Sequence, residues 1–373
     1  MKILADQNMP LVEQYFADFG EVTRFDGRNL TPDALIDVDV LLTRSVTKVN
    51  SDLLAHANKL SFVGTATIGV DHIDTQLLND KGIAFSSAPG CNAVAVAEYV
   101  ISSLFALSQE NAAPLSGQTI GIVGVGNIGS CLAQKLKALN VDVLLCDPIK
   151  HEQGLLAEHV ELDELLERVD AVTFHVPLIK TGEHKTHHLI DEKRLKALKP
   201  GLAVINASRG EVIDNQALLS VMEQGADLDL VLDVWENEPN ILIPLLDHVR
   251  YASVHIAGHT LEGKARGTQM LYQALCKLKG VTAEKSLADF LPQPAVTSLS
   301  LQSSFIEADI ARLVHLIYDV RRDDGILLRN LAKDGFDRLR KNYPVRREFS
   351  TLTVKGSAQH TDALAQLGFN TAN

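Results

Sequence analysis

Thr119-Ile120-Gly121-Ile122-Val123-Gly124-Val125-Gly126-Asn127-Ile128-Gly129 decides the fold. A short apolar run passes into glycines spaced G-x-G-x-x-G, and a helical pattern follows to about Leu139. Strand, glycines and helix in that order are the context in which this spacing binds a dinucleotide. The first glycine permits the tight turn, the second lets the backbone approach a pyrophosphate, and the third lets helix and strand pack closely. The free N–H groups at the helix start then face the phosphates. Asp147 ends the next apolar run, roughly 20 residues on, where an acid accepts hydrogen bonds from ribose hydroxyls. A carboxylate there repels a 2′-phosphate, so the cofactor expected is NAD rather than NADP. A glycine turn without a ligand is the plain alternative, and the agreement of four independent features argues against it.

Working outward, apolar runs alternate with helical segments on both sides. Downstream the strands are read at Val143–Cys146, Ala171–Phe174, Ala203–Asn206, Leu230–Val234 and near Tyr251–Val254. Upstream they are read at Lys2–Ala5, Leu41–Thr43, Phe62–Thr65 and Ile83–Phe85. Strands separated by helices imply parallel sheets. Beyond Pro292 and Pro294 the pattern changes to a helix over Glu307–Val320, a basic helix near Phe336–Lys341 and a strand at Leu352–Val354. This stretch is too short for a second catalytic domain, and oligomerisation is its expected role.

The composition narrows the class of function. The net charge is −12, and no block of Lys or Arg occurs. Nucleic acid is therefore not an expected partner, because phosphate backbones need a cationic face. The most apolar stretch, Ala93–Leu107, is interrupted by Glu98 and is shorter than the ~20 residues of a membrane span. No signal peptide is read at Met1–Asp6, so no membrane partner is expected and the location read is cytoplasmic. Cys91, Cys131, Cys146 and Cys276 are scattered and read as reduced thiols.

Three segments that follow predicted strands carry reactive side chains: Asn206-Ala207-Ser208-Arg209-Gly210, Asp233-Val234-Trp235-Glu236-Asn237-Glu238-Pro239 and His255-Ile256-Ala257-Gly258-His259. In an open α/β sheet the ligand lies outside the carboxyl ends of the strands. Oxidising an alcohol removes a proton from oxygen while hydride leaves carbon. Histidine exchanges that proton near neutral pH. A carboxylate beside it, here Glu238, fixes the ring and stabilises its protonated form. Arg209 supplies a planar, always-charged fork for a substrate carboxylate. Taken singly, Arg209 reads equally as a surface ion-pair residue, Glu238 as a loop residue and His255 as a core histidine. Their joint placement after successive strands favours a site. His184, His187 and His188 have no carboxylate or Cys at ligand spacing, so no metal is expected. Asp74 near His72 reads as a helix cap.

These motifs together resemble the D-isomer-specific 2-hydroxyacid dehydrogenase family over about residues 1 to 280. Further segments resemble one branch of that family, which acts on a phosphorylated hydroxy acid. They include Ile3-Leu4-Ala5-Asp6, Arg44-Ser45-Val46-Thr47, Ala88-Pro89-Gly90-Cys91-Asn92 and, in the tail, Tyr318-Asp319-Val320-Arg321-Arg322-Asp323-Asp324. The resemblance implies Arg209 and Glu238 as active-site residues and His255 as proton donor. It implies substrate contacts at Ser45, Thr67 and His259. The cofactor would lie on Gly124, Val125, Gly126, Asn127, Ile128, Gly129, Asp147, Val176, Ala207, Ser208, Arg209, Asp233 and Gly258. It also implies a homodimer through the carboxyl-terminal domain. At position 259 relatives of that branch carry Tyr, and imidazole retains a donor for phosphate. Arg44, and Arg346 with Arg347 from a partner subunit, are expected phosphate clamps.

The expected architecture is therefore α/β, with two doubly wound parallel-sheet domains and a small α+β dimerisation domain. The substrate-binding lid, flavodoxin-like, takes 1–93 plus 259–284. The Rossmann dinucleotide domain takes 94–258, and the dimerisation domain takes 285–373. The substrate is expected between the first two, with hinges near 92–98 and 258–263. Two rivals stand beside this reading. One is a dehydrogenase of 3-phosphoglycerate or another D-2-hydroxy acid; the other is a non-catalytic NAD-sensing protein.

Overall fold

Parallel strands buried on both faces must be apolar throughout, and the apolar runs of this chain become the central strands of two sheets. The computed structural model describes residues 1–301, 306–356 and 358–372. The chain divides into two compact units, Met1–Asn92 with His259–Gln293 and Ala93–Gly258 with Pro294–Asn373.

In the first unit the strands are β1 (Lys2–Asp6), β2 (Glu21–Phe25), β3 (Val40–Thr43), β4 (Phe62–Thr65) and β5 (Ala84–Ser86). All pair in parallel, in the order β2-β1-β3-β4-β5. That is the doubly wound, flavodoxin-like order. One face is packed by Val12, Tyr15 and Phe16 with Leu271, Tyr272 and Leu275 of the helix Leu261–Lys279. The opposite face is packed by Leu35, Leu53, Leu54 and Leu78. Asp74 caps the helix Thr75–Asp80, accepting from Leu77 N at 2.9 Å, as expected.

In the second unit the strands are β6 (Thr119–Val123), β7 (Asp142–Cys146), β8 (Ala171–Phe174), β9 (Leu202–Asn206), β10 (Leu228–Leu232) and β11 (Tyr251–Ala252). Their order is β11-β10-β9-β8-β6-β7. β7 lies on one side of β6 and β8 on the other, so the winding reverses at β6, which is where such sheets bind ligands. The helix Ala93–Glu110 is buried from Ala95 to Leu107. It packs on the helix Asn127–Lys137 and on two tail helices, Glu307–Ile317 and Val320–Asp334. Among the described residues no helix is long and apolar enough to cross a membrane. None of the four cysteines forms a disulfide.

The tail differs from expectation in detail. The helix read over Glu307–Val320 stops at Ile317, and a second begins at Val320, capped by Asp319 through Arg321 N at 3.1 Å. Three short strands, β12 (Ser298–Ser300), β13 (Thr353–Lys355) and β14 (Asn370–Ala372), form a separate parallel sheet. Only the middle one was read from sequence. This tail falls in the same compact unit as the glycine-rich segment and shares its core, through Val314, Tyr318, Phe349 and Leu367.

Candidate active site

Gly124 has φ +91°, a left-handed turn, and a Cβ there would lie 2.6 Å from the His175 carbonyl oxygen. A Cβ on Gly129 would meet the Gly124 carbonyl oxygen, so the helix closes tightly on the strand. Gly126 is different: a Cβ there would meet nothing within 4 Å. It borders an open depression of about 500 Å³ with Asn127, Ser130 and Lys150. Two glycines are therefore demanded by the chain's own packing, and the third leaves room at the helix start for a ligand. Asp147 reaches back to this turn, accepting from Val125 N at 2.9 Å and from Lys150 N at 3.0 Å. Val176 lies against Gly124. These residues fit a dinucleotide pyrophosphate at backbone N–H groups, with an acid beside the turn.

The three reactive loops leave adjacent strands at one level. Leu232 of β10 pairs with Asn206 of β9 and with Ala252 of β11. Backbone bonds then link the loops: Asp233 N to Asn206 O at 3.0 Å and His255 N to Asp233 O at 2.7 Å. Gly210 presses on the Trp235 backbone so closely that a Cβ would overlap it. Asn206 folds its own loop, accepting from Ser208 N and Oγ while its amide donates to Arg209 O at 2.9 Å. Arg209 is half-buried and donates to Ser208 O at 2.8 Å.

His255 and Glu238, 17 positions apart, meet here: His255 Nδ1 lies 2.8 Å from Glu238 Oε2. The other carboxylate oxygen accepts from Trp235 N at 3.0 Å. Burial pushes the Glu238 carboxyl up. The His255 charge and hydrogen bond, the Trp235 N–H and the Arg340 charge outweigh it, and the net position is below the usual carboxylate range. Glu238 is thus an anion that orients the ring. With Nδ1 engaged, Nε2 is the nitrogen left to exchange a proton. His255 sits at φ +57°, an unusual backbone for a non-glycine residue. Such strain persists only where the surroundings over-determine it.

Asp233 is part of those surroundings. It is 1% exposed and accepts from Ser253 Oγ at 2.6 Å, Ile256 N at 2.7 Å and Ala257 N at 2.9 Å. Ser253 Oγ is also within 2.9 Å of Tyr99 OH, and Ser253 O accepts from Trp235 Nε1. This anchoring of the histidine loop was not read from sequence. The signal was an acid at the end of an apolar strand, which marks a site without saying that the carboxylate turns inward.

In the first unit the expected substrate residues gather in the same way. β3 and β4 end as neighbours, Thr43 against Thr65, and Arg44, Ser45 and Thr67 follow directly. Thr67 Oγ1 lies 2.8 Å from Thr65 Oγ1 and donates to Gly69 O at 2.9 Å. Ser45 is exposed; Arg44 and His259 are half-buried. Arg346 fails the expectation of a phosphate clamp on a neighbouring subunit. It is 1% exposed and bonded to carbonyl oxygens of its own chain, Ala257 at 3.0 Å and Ala95 at 2.6 Å. The histidines that lacked carboxylates by spacing do meet them in space. His188 lies 2.7 Å from Glu236 and 3.4 Å from Asp214, and His184 lies 3.1 Å from Glu152. Ligand-type atoms of His187, His188 and Glu236 lie within 4.8 Å of one another. Both ring nitrogens of His188 already face carboxylates, so the cluster reads as histidine–carboxylate contacts within the protein.

Comparison with known proteins identifies the family. Residues 97–260 match the NAD-binding domain of D-isomer-specific 2-hydroxyacid dehydrogenases, and residues 290–368 match a domain of unknown function. The chain is 81% identical to an erythronate-4-phosphate dehydrogenase of Pseudoalteromonas translucida over the full length of both. It is 49% identical to one of Tolumonas auensis over 99% of each chain. A D-lactate dehydrogenase structure from Aquifex aeolicus, complexed with NAD and lactic acid, is 25% identical with a TM-score of 0.61, covering 74% of this chain and 96% of that one. The cofactor is NAD, and the activity is that of an oxidoreductase acting on CH–OH. The chain belongs to the erythronate-4-phosphate dehydrogenases, within the D-isomer-specific 2-hydroxyacid dehydrogenase family.

Proposed function

We propose that this protein oxidises 4-phospho-D-erythronate to (R)-3-hydroxy-2-oxo-4-phosphooxybutanoate, a step toward pyridoxal 5′-phosphate. The chemistry rests on the His255–Glu238 pair at 2.8 Å, on a loop joined to that of Arg209 through backbone bonds, and the choice of substrate rests on the full-length identity to erythronate-4-phosphate dehydrogenases. NAD supplies the hydride acceptor. Arg209 grips the substrate carboxylate and the oxygen on the adjacent carbon. His255 Nε2 takes the hydroxyl proton as the C–H electron pair leaves, and Glu238 stabilises the resulting imidazolium. Ketone and NADH are the products, and the proton passes from His255 to solvent.

The cofactor is assigned to residues 124–129, Asp147, Val176, Ala207, Ser208, Arg209, Asp233 and Gly258. Ser45, Thr67, Arg44 and His259 are assigned to the substrate. Four reduced cysteines and no membrane-length helix among the described residues fit a cytoplasmic enzyme. The tail serves as a homodimer interface on this reading. Leu316, Leu328 and Val345 there are 54%, 54% and 73% exposed, apolar side chains that association would cover. The test is NADH formation with 4-phospho-D-erythronate beside 3-phosphoglycerate and D-lactate. The reading expects kcat/KM highest for the first; a preference for 3-phosphoglycerate rejects it.

A further inference from the structure

The loop that carries His255 is held from two sides. Asp233 and Trp235, described above, hold one. The carboxyl-terminal segment holds the other, at three successive places. Asp324 Oδ1 accepts from Ala252 N at 3.0 Å, Arg340 Nε donates to His255 O at 3.2 Å, and Arg346 Nη1 donates to Ala257 O at 3.0 Å. Arg346 is itself fixed. Its guanidinium carbon lies 3.6 Å from the centre of the Tyr318 ring, and its second nitrogen bonds Ala95 O at the start of the buried helix. Tyr318 and Tyr343 hydroxyls both donate to Asp323 Oδ2, at 2.9 and 2.7 Å, which locks the platform beneath that guanidinium. Arg346 lies wholly inside the protein although arginine is almost never fully buried without partners. A dimer interface does not require a buried arginine spent on the carbonyls of another segment. A left-handed His255 held to sub-ångström placement does require contacts of this kind.

We propose that the domain of unknown function positions the proton-exchanging histidine, with Arg340 and Arg346 as positioning residues that grip the backbone carbonyls of His255 and Ala257. The tail is therefore part of what sets the rate of the chemical step, and not only a surface for association. This rests on the reading of His255 given above. Arg340 is the cleaner handle. It is half-buried and is not among the apolar side chains that form the core of the tail.

The test uses the full chain as Arg340→Gln, Arg340→Lys and Arg346→Lys. Arg338→Gln serves as control, since Arg338 sits on the same helix, is exposed and pairs with Asp334. Single-turnover NADH formation is measured with protiated and C2-deuterated substrate, NAD binding by fluorescence titration, and amide hydrogen exchange over 252–258. Arg340→Gln is expected to slow the single-turnover step about tenfold with NAD affinity unchanged, less than the roughly 10²-fold that a 1 Å misplacement can cost. Protection of the Ile256 and Ala257 amides falls, and Arg340→Lys recovers part of the rate. Arg346→Lys shows the same effects more strongly; if it fails to fold, Arg340→Gln still decides. Wild-type rate and wild-type exchange in Arg340→Gln overturn the proposal, as does a slower rate with unchanged exchange. If the unaltered protein forms no NADH, the functional reading fails, and the exchange data alone decide whether the tail holds the loop.

Discussion

Arg209, Glu238 and His255 divide the work by what each side chain can do. Glu238 is held below the ordinary carboxylate range, so its support of the imidazole is present above the unfolded-state value of 4.5. That support is lost as pH falls through the depressed value. Glu238→Gln keeps the shape and removes the charge. Its kcat is expected to fall about 10²-fold or more, because the imidazolium loses its counter-ion. Steady-state kinetics with NAD saturating check this, and a loss of less than twofold contradicts it. Arg209→Lys keeps the charge and loses the fork, so kcat/KM is expected to drop by over about tenfold with NAD affinity retained. Arg44→Ala is expected to raise KM far more for the phosphorylated acid than for an unphosphorylated one. Equal effects would remove Arg44 from the phosphate site.

At the scale of elements, the glycine turn separates fold from function. Gly129→Ala forces its Cβ onto the Gly124 carbonyl and is expected to lower the melting temperature. A Cβ at Gly126 meets nothing within 4 Å, so in Gly126→Val the fold is expected to survive while NAD binding weakens. Melting curves with and without NAD distinguish the two, and a wild-type NAD-induced shift in Gly126→Val refutes the cofactor placement. These elements were legible because parallel strands buried on both faces are written as apolar runs. β2 was not legible: Glu21–Phe25 is a sheet edge with only part-buried and exposed side chains, so no apolar run marks it. β12 and β14 are three residues each with mostly polar side chains, too short to show alternation, and take their shape from β13 between them. The helix Val320–Asp334 opens on Arg321, Arg322, Asp323 and Asp324, which masked its periodicity.

For the molecule as a whole, the sequence showed which chemistry occurs and hid what secures it. His255 and Glu238 are visible only jointly with Arg209, because three reactive side chains after successive strands favour a site that none of them marks singly. Arg346 and Glu98 belong to residue types that are almost never fully buried unless paired, yet both are buried. Glu98 accepts from Phe349 N at 3.1 Å and lies 3.6 Å from Lys135 Nζ, and Lys135 also bonds the Leu367 carbonyl. Burial is the main cause that pushes the Glu98 carboxyl up to about 8, against the pull of Lys135. A raised acid contributes stability that is present below its unfolded value of 4.5 and is lost as pH rises through about 8. The melting temperature is therefore expected to be lower at pH 9 than at pH 6, and Glu98→Gln is expected to flatten that slope; an unchanged slope contradicts the assignment. The central claim, that the imidazole of His255 moves the proton, is tested most directly by single-turnover NADH formation from 4-phospho-D-erythronate in His255→Ala. NAD binding is verified on the same sample. The rate is expected to fall about 10²- to 10⁴-fold with NAD affinity intact, and a variant that reacts within about twofold of the unaltered protein would contradict the account.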